Sequence, residues 1–186
     1  MPRTPDEERR ARLVADALDH LQGAGLSTFT LRSLAPHLGT SARMLVHYFG
    51  TRDALLDAVL TEHRRRMIAG LDAVATTDPR ATAQAAWAAM TDPARTGHFT
   101  LMLQVLTASL EDGHPHHAIA QDAIGAWVEH VEKLLVGTGS PPDVARTDAT
   151  LLTSGFKGLL LDRLVTGDLQ RTDAAAQRLV DLLLAP

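Results

Sequence analysis

Two short apolar segments, punctuated by hydroxyl residues and one glycine, constrain this chain more than any other feature. Residues 30–49 read TLRSLAPHLGTSARMLVHYF. Thr30 is placed to cap the free amides of the turn after it, and Leu31, Leu34, Ala35 and Leu38 then recur at helical spacing. Gly39 can take the left-handed conformation that stops a helix sharply. Ser41 can cap a second helix carrying Leu45, Val46 and Phe49. Two short helices joined by a tight glycine turn form a helix-turn-helix. Pro36 falls inside the first of the pair, removes one backbone donor, and is expected to bend or shorten that helix.

The flanks supply partners for this pair. Leu13, Val14, Ala17, Leu18 and Leu21 predict a preceding helix stopped by Gly23 and Gly25. Leu55, Leu56, Val59, Leu60, Met67 and Leu71 predict a following helix from Arg52 to Ala75. Further on, breaks at Asp78-Pro79, Asp92-Pro93, Gly113-His114-Pro115, Gly137 to Pro142 and Gly167-Asp168 leave helices over 80–91, 97–111, 116–136, 143–166 and 172–184. The apolar residues are mostly Ala and Leu with few aromatics, a mix that favours helices over sandwiches or barrels. The expected fold is all-α: an N-terminal three-helix helix-turn-helix domain over 1–52, joined to a helical domain over 53–186.

The absence of cysteine removes disulfides, thiolate metal sites and cysteine nucleophiles. No apolar run is long enough to cross a membrane, and the opening MPRTPDEERR lacks a signal-peptide core, so a cytoplasmic protein without a membrane partner is expected. The net charge of -4 hides an asymmetry. Residues 1–66 carry ten Arg and eight acids, whereas the remainder carries eight Arg or Lys and fourteen acids. A locally basic surface on an acidic body suits phosphate binding.

The stretch FTLRSLAPHLGTSARMLVHYFGTRDALLDAVL, from Phe29 to Leu60, resembles the DNA-binding domain of the TetR family in the spacing of its Thr, Leu-Ala, Gly, Ser, Leu, Tyr-Phe and basic residue. With the helix before it, the match covers about fifty residues. The downstream GFKGLLLDRLVTGD, Gly155 to Asp168, is similar to a late helix of that family. The resemblance implies a ligand-responsive regulator, a repressor, that binds a palindromic operator in double-stranded DNA as a homodimer and is released by a small, largely apolar effector.

A recognition helix turns its early and outward side chains to base edges, which points to Ala42, Arg43, Met44, His47 and Tyr48. Arg43 can donate twice to a guanine, and Met44 can touch a thymine methyl. The family resemblance adds Arg32 as a base contact and assigns Thr30, Thr40, Ser41, Tyr48 and Arg52 to the DNA backbone. Arg3, Arg9, Arg10 and Arg12 can add salt-sensitive contacts. Val46 stands where the family usually has a phosphate-contacting tyrosine, a contact that is then absent or passed to His47 or Tyr48.

For the later helices the resemblance implies a ligand pocket and a two-fold interface made mainly by 116–136 and 143–166. Ala149, Thr153, Gly155 and Gly158 would permit close helix approach there, or equally ordinary packing within one chain. Trp87, Met90, Phe99 and Met102, with Leu106, Trp127, His130 and Phe156, are the large or adaptable groups from which an apolar pocket can be built, although each also suits a core. His114, His116 and His117, after Glu111 and Asp112, invite comparison with a zinc site, but their spacing matches no established one. No metal or cofactor is expected, and no HExxH, nucleophile elbow, phosphate loop or dinucleotide fingerprint appears. An enzyme is therefore not expected. A histidine-based hydrolase and a helical adaptor without DNA binding are the competing readings, the second prompted by Val46 and Pro36.

Overall fold

The computed structural model describes residues 5–26, 29–110 and 116–184. Nine α-helices follow one another among them: α1 (Pro5–Ala24), α2 (Leu31–Leu34), α3 (Ala42–Phe49), α4 (Arg52–Val74), α5 (Pro79–Thr91), α6 (Thr96–Ala108), α7 (His117–Gly137), α8 (Pro142–Thr166) and α9 (Leu169–Leu183). A single 3-10 turn, Pro93–Arg95, precedes α6. No strand occurs among the described residues, so the all-α expectation holds. No described helix is long and apolar enough to cross a membrane.

The caps explain most of the boundaries. Asp78 accepts from the Arg80 amide with Pro79 at the first helical position, where the missing N–H costs nothing. Asp168 accepts from the Arg171 amide at 3.0 Å. That cap starts α9 at Leu169, three residues earlier than the spacing alone predicts.

The packing divides the chain into two units whose bounds differ from the domain boundary expected at residue 52. The first comprises 1–67 and 97–121, the second 68–96 and 122–186. In the first, α1 buries Leu13, Val14, Ala17, Leu18 and Leu21 in one core with Leu34, Leu45 and Phe49 of the helix-turn-helix and Leu55, Leu56, Val59 and Leu60 of α4. Leu31 and Leu38, half-buried, pack against it. Leu101 and Val105 of α6 belong to the same core, so a helix distant in sequence braces the N-terminal module. Polar contacts repeat that bracing. Gln104 accepts from the Leu26 amide at 3.1 Å, and Gln22 bonds the His98 ring at 2.6 Å. His116 is buried, with Nδ1 2.7 Å from Asp57.

In the second unit, α8 and α9 form a hairpin through Gly167 and pack with α5. Trp87 and Phe156 meet with ring centroids 5.3 Å apart, and the Trp87 indole donates to Asp173 at 2.9 Å. Arg80 pairs with Asp181, and Arg163 with Asp173. Of the small residues on α8, Ala149 and Thr153 are buried, and a Cβ at Gly155 would meet Leu179 of α9. Those three serve packing within the chain, whereas Gly158 faces open space.

Candidate nucleic-acid interface

Local chemistry shapes the helix-turn-helix. The Thr30 hydroxyl accepts from the Ser33 amide at 3.0 Å while the Ser33 hydroxyl accepts from the Thr30 amide at 3.0 Å, a reciprocal cap. Pro36 then interrupts the ladder, so α2 ends at Leu34 after four residues. The chain continues as tight turns in which the Gly39 amide donates to the Pro36 carbonyl and the Thr40 amide to that of Ala35. Gly39, at φ 58°, supplies the left-handed residue this ending requires. The turn is also held from α1, where the His20 ring stacks on His37 with centroids 4.0 Å apart. Burial, and then proximity to His37, lower the His20 pKa and favour the neutral form of that ring. Ser41 accepts from the Met44 amide at 3.2 Å and starts α3.

Burying Leu45 and Phe49 turns the opposite side of α3 outward. Arg43, His47, Ser41 and Val46 are exposed, while Ala42, Met44, Tyr48 and Thr40 are half-buried. Arg32 and Thr30 are exposed at the start of α2. Among the described residues, Arg32 and Arg43 have neither a hydrogen-bond nor an ion-pair partner, so both guanidinium groups remain available. Arg52 differs. Its Nε donates to the Phe29 carbonyl at 3.0 Å, its Nη1 to Asp53 at 2.9 Å, and its guanidinium lies 4.8 Å from the Phe29 ring centroid. Arg52 therefore ties the start of α4 to the segment before α2. Tyr48 is also engaged, its hydroxyl donating to Asp6 at 3.0 Å. Desolvation, and then that bond, raise its pKa above the ordinary phenol value and keep it a neutral donor. Arg10 of α1 stands 5.0 Å from the Phe49 ring centroid. Arg9 and Arg12 also lie on α1, and Arg3 lies outside the described residues.

The residues expected to line an effector pocket are shared between the two units. Phe99, buried, and Met102 and Leu106, half-buried, lie on α6 in the first. Trp87, Met90, Trp127 and Phe156 are buried in the second. His130 stands there with Nε2 3.3 Å from Asp72, without forming a hydrogen bond. Lys157 was not anticipated, yet its ammonium lies 5.3 Å from the Trp127 ring centroid. The signal available in the sequence was a lone cation within the apolar run GFKGLLL. Of the histidine cluster, His116 binds Asp57 and the His117 ring lies 3.0 Å from the Ser109 carbonyl. Glu111, Asp112 and His114 lie outside the described residues.

A short α2 and a capped α3 whose Arg32 and Arg43 face outward without a partner among the described residues, on a helical fold, are the features of the helix-turn-helix class of DNA-binding proteins. No family model matches the chain. A curated relative, the HTH-type transcriptional regulator BetI of Burkholderia thailandensis, is 31% identical over 191 residues, covering 97% of this chain and 95% of that protein. The chain belongs to the TetR family of transcriptional regulators. Solved structures share the fold. A transcriptional regulator from Rhodococcus sp. Rha1 matches with a TM-score of 0.79 at 24% identity, over 97% of this chain and 96% of that one. A TetR transcriptional regulator from Legionella pneumophila matches with 0.77 at 17% identity, over 99% of this chain and 100% of that one. Regulators of this family bind DNA and act as dimers.

Proposed function

We propose that this protein is a cytoplasmic repressor that grips a palindromic operator as a homodimer and releases it when a small, largely apolar effector binds the helical body. The observation that carries the reading is the pair of unpartnered, outward guanidinium groups, Arg32 and Arg43, on a helix-turn-helix whose other polar groups are largely engaged in capping. Thr30, Arg32, Thr40, Ser41, Ala42, Arg43, Met44, His47, Tyr48 and Arg52 form the DNA-binding surface, divided between base reading by Arg43 and Arg32 and backbone contacts by the rest. Exposed Val144, Leu151, Leu161 and Val165 on α8, with Gly158 among them, supply the apolar surface that two copies would cover.

Release follows from geometry. Half-sites on one face of the duplex lie about 34–36 Å or a multiple apart, so a dimer holds both only at a matching separation of its recognition helices. The helix α4 runs unbroken from Arg52 to Val74, and an effector that displaces its C-terminal half moves the recognition module with it. A coupling of about 1–3 kcal/mol would weaken operator binding roughly 5- to 150-fold, and operator would weaken effector binding by the same factor.

A mobility-shift and footprinting experiment on the DNA upstream of the protein's own gene tests the reading. Two-fold protection that weakens steeply with salt is expected, because phosphate contacts release counterions. A protein that stays monomeric at micromolar concentration and shifts no such DNA at low salt refutes it.

A further inference from the structure

Lys157 is one of two lysines in the chain. The other, Lys133, is exposed and paired with Glu129 at 2.7 Å. Lys157 is half-buried on α8, between Phe156 and Gly158, with its ammonium against the face of Trp127, itself buried. Among the described residues no carboxylate pairs with it. The second unit holds twelve acids and eight Lys or Arg, so counter-charges are plentiful. Its two half-buried arginines each have one, Arg80 with Asp181 and Arg163 with Asp173.

A half-buried ammonium without an anion is costly unless something supplies one. The cost shows in the lysine itself, since burial, with no opposing charge, pulls its pKa below the ordinary value. The surface that the ammonium meets is aromatic, the face of buried Trp127, and aromatic walls of this kind are common in ligand sites. An ammonium carries three donors and no acceptor, and here it already occupies the face of Trp127 that a cationic ligand would seek.

We propose that the effector is an organic anion, an aromatic or aliphatic body bearing one carboxylate or sulfonate, and that Lys157 receives the charged group while Trp127 holds the apolar part beside it. This deepens, and rests on, the reading of the helical body as an effector-binding unit.

Two probes share one ring system and differ in charge: 8-anilinonaphthalene-1-sulfonate and neutral N-phenyl-1-naphthylamine. Both tryptophans of the chain, Trp87 and Trp127, lie in this unit, so energy transfer from tryptophan to probe reports binding there. With the full-length protein, Lys157→Met should weaken the sulfonate about tenfold, ~1.4 kcal/mol, and change the neutral probe less than about twofold, while Lys157→Arg retains tight sulfonate binding. Should Lys157→Met fail to fold by circular dichroism, Lys157→Gln against Lys157→Arg makes the same comparison. Equal loss of both probes, or of neither, overturns the anion assignment, while continued binding of the neutral probe leaves the effector-binding unit standing. If neither probe receives energy from the wild-type tryptophans, the effector-binding reading falls and this proposal falls with it.

Discussion

Acidification from pH 7 to 4 should cost the first unit about 3 kcal/mol through one side chain, His63. The residue is 6% exposed on α4, and its Nε2–H donates to the His98 carbonyl at 2.9 Å. Burial, opposed only in part by that hydrogen bond, lowers its pKa from 6.5 to about 4, and the nearby His98 and Arg66 add to the shift. The folded state thus refuses a proton that the unfolded chain accepts. The contribution is complete above pH 6.5 and is lost progressively as the pH falls through the folded value of about 4. Each pH unit between the two values is worth ~1.4 kcal/mol, which gives the total. Glu62, held at about 2 by Arg65 and Arg66, begins to lose its own contribution only below its unfolded value of 4.5, at the acid end of this window, and does so alike in wild type and in a His63 variant. Urea unfolding followed by circular dichroism, at fixed protein concentration and at several pH values from 7 to 4, measures the loss. His63→Gln keeps a donor for the His98 carbonyl but does not titrate, so its stability should fall less over that range, by about 2–3 kcal/mol. Parallel curves for the two proteins would refute the assignment of a buried, neutral His63.

On the operator, Arg43→Ala should cost about 1–3 kcal/mol per half-site and relax preference at one base position, whereas Arg52→Ala should weaken all sequences alike and also lower the melting temperature, since Arg52 anchors Phe29. Mobility shifts on base-substituted operators decide this, and equal loss on specific and random DNA would remove Arg43 from base reading. Gly97→Ala places a Cβ 2.5 Å from the Gln22 carbonyl oxygen and should destabilise by about 1–3 kcal/mol, while Gly70→Ala, with nothing within 4 Å, should gain up to about 1 kcal/mol. A Gly97→Ala protein that melts no lower than wild type would contradict the close approach of α1 and α6. Leu151→Glu combined with Val165→Glu should yield a folded monomer in sedimentation, and a persistent dimer would place the interface elsewhere.

The helices, their ends and the DNA-binding module were legible in the sequence because they rest on neighbours three to five residues apart. Thr30 and Ser41 cap the turns they precede, Gly39 stops its helix, and Pro36 cuts α2 short by its missing N–H, whereas the start of α9 at Leu169, set by the Asp168 cap, lay three residues before the periodicity showed it. The outward side of α3 followed from burying Leu45 and Phe49. Membership of the TetR family was legible for the same reason, since its motif is a string of such local requirements. Contacts that span the chain were not. Nothing near Leu101 and Val105 says that α6 joins the core of the N-terminal module, and nothing near Gly155 says that Leu179 fills the space beside it. The fates of the cations separate the two kinds of information most clearly. Arg43 and Arg52 look alike along the chain, but folding leaves the first without a described partner and engages the second with Phe29. Arg80 and Lys157 differ again, because a carboxylate 101 residues away reaches the first and no described carboxylate reaches the second. Caps and periodicity depend on the order of residues along one helix, whereas counter-charge and burial depend on which distant helices folding brings together, and only the tertiary structure decides that.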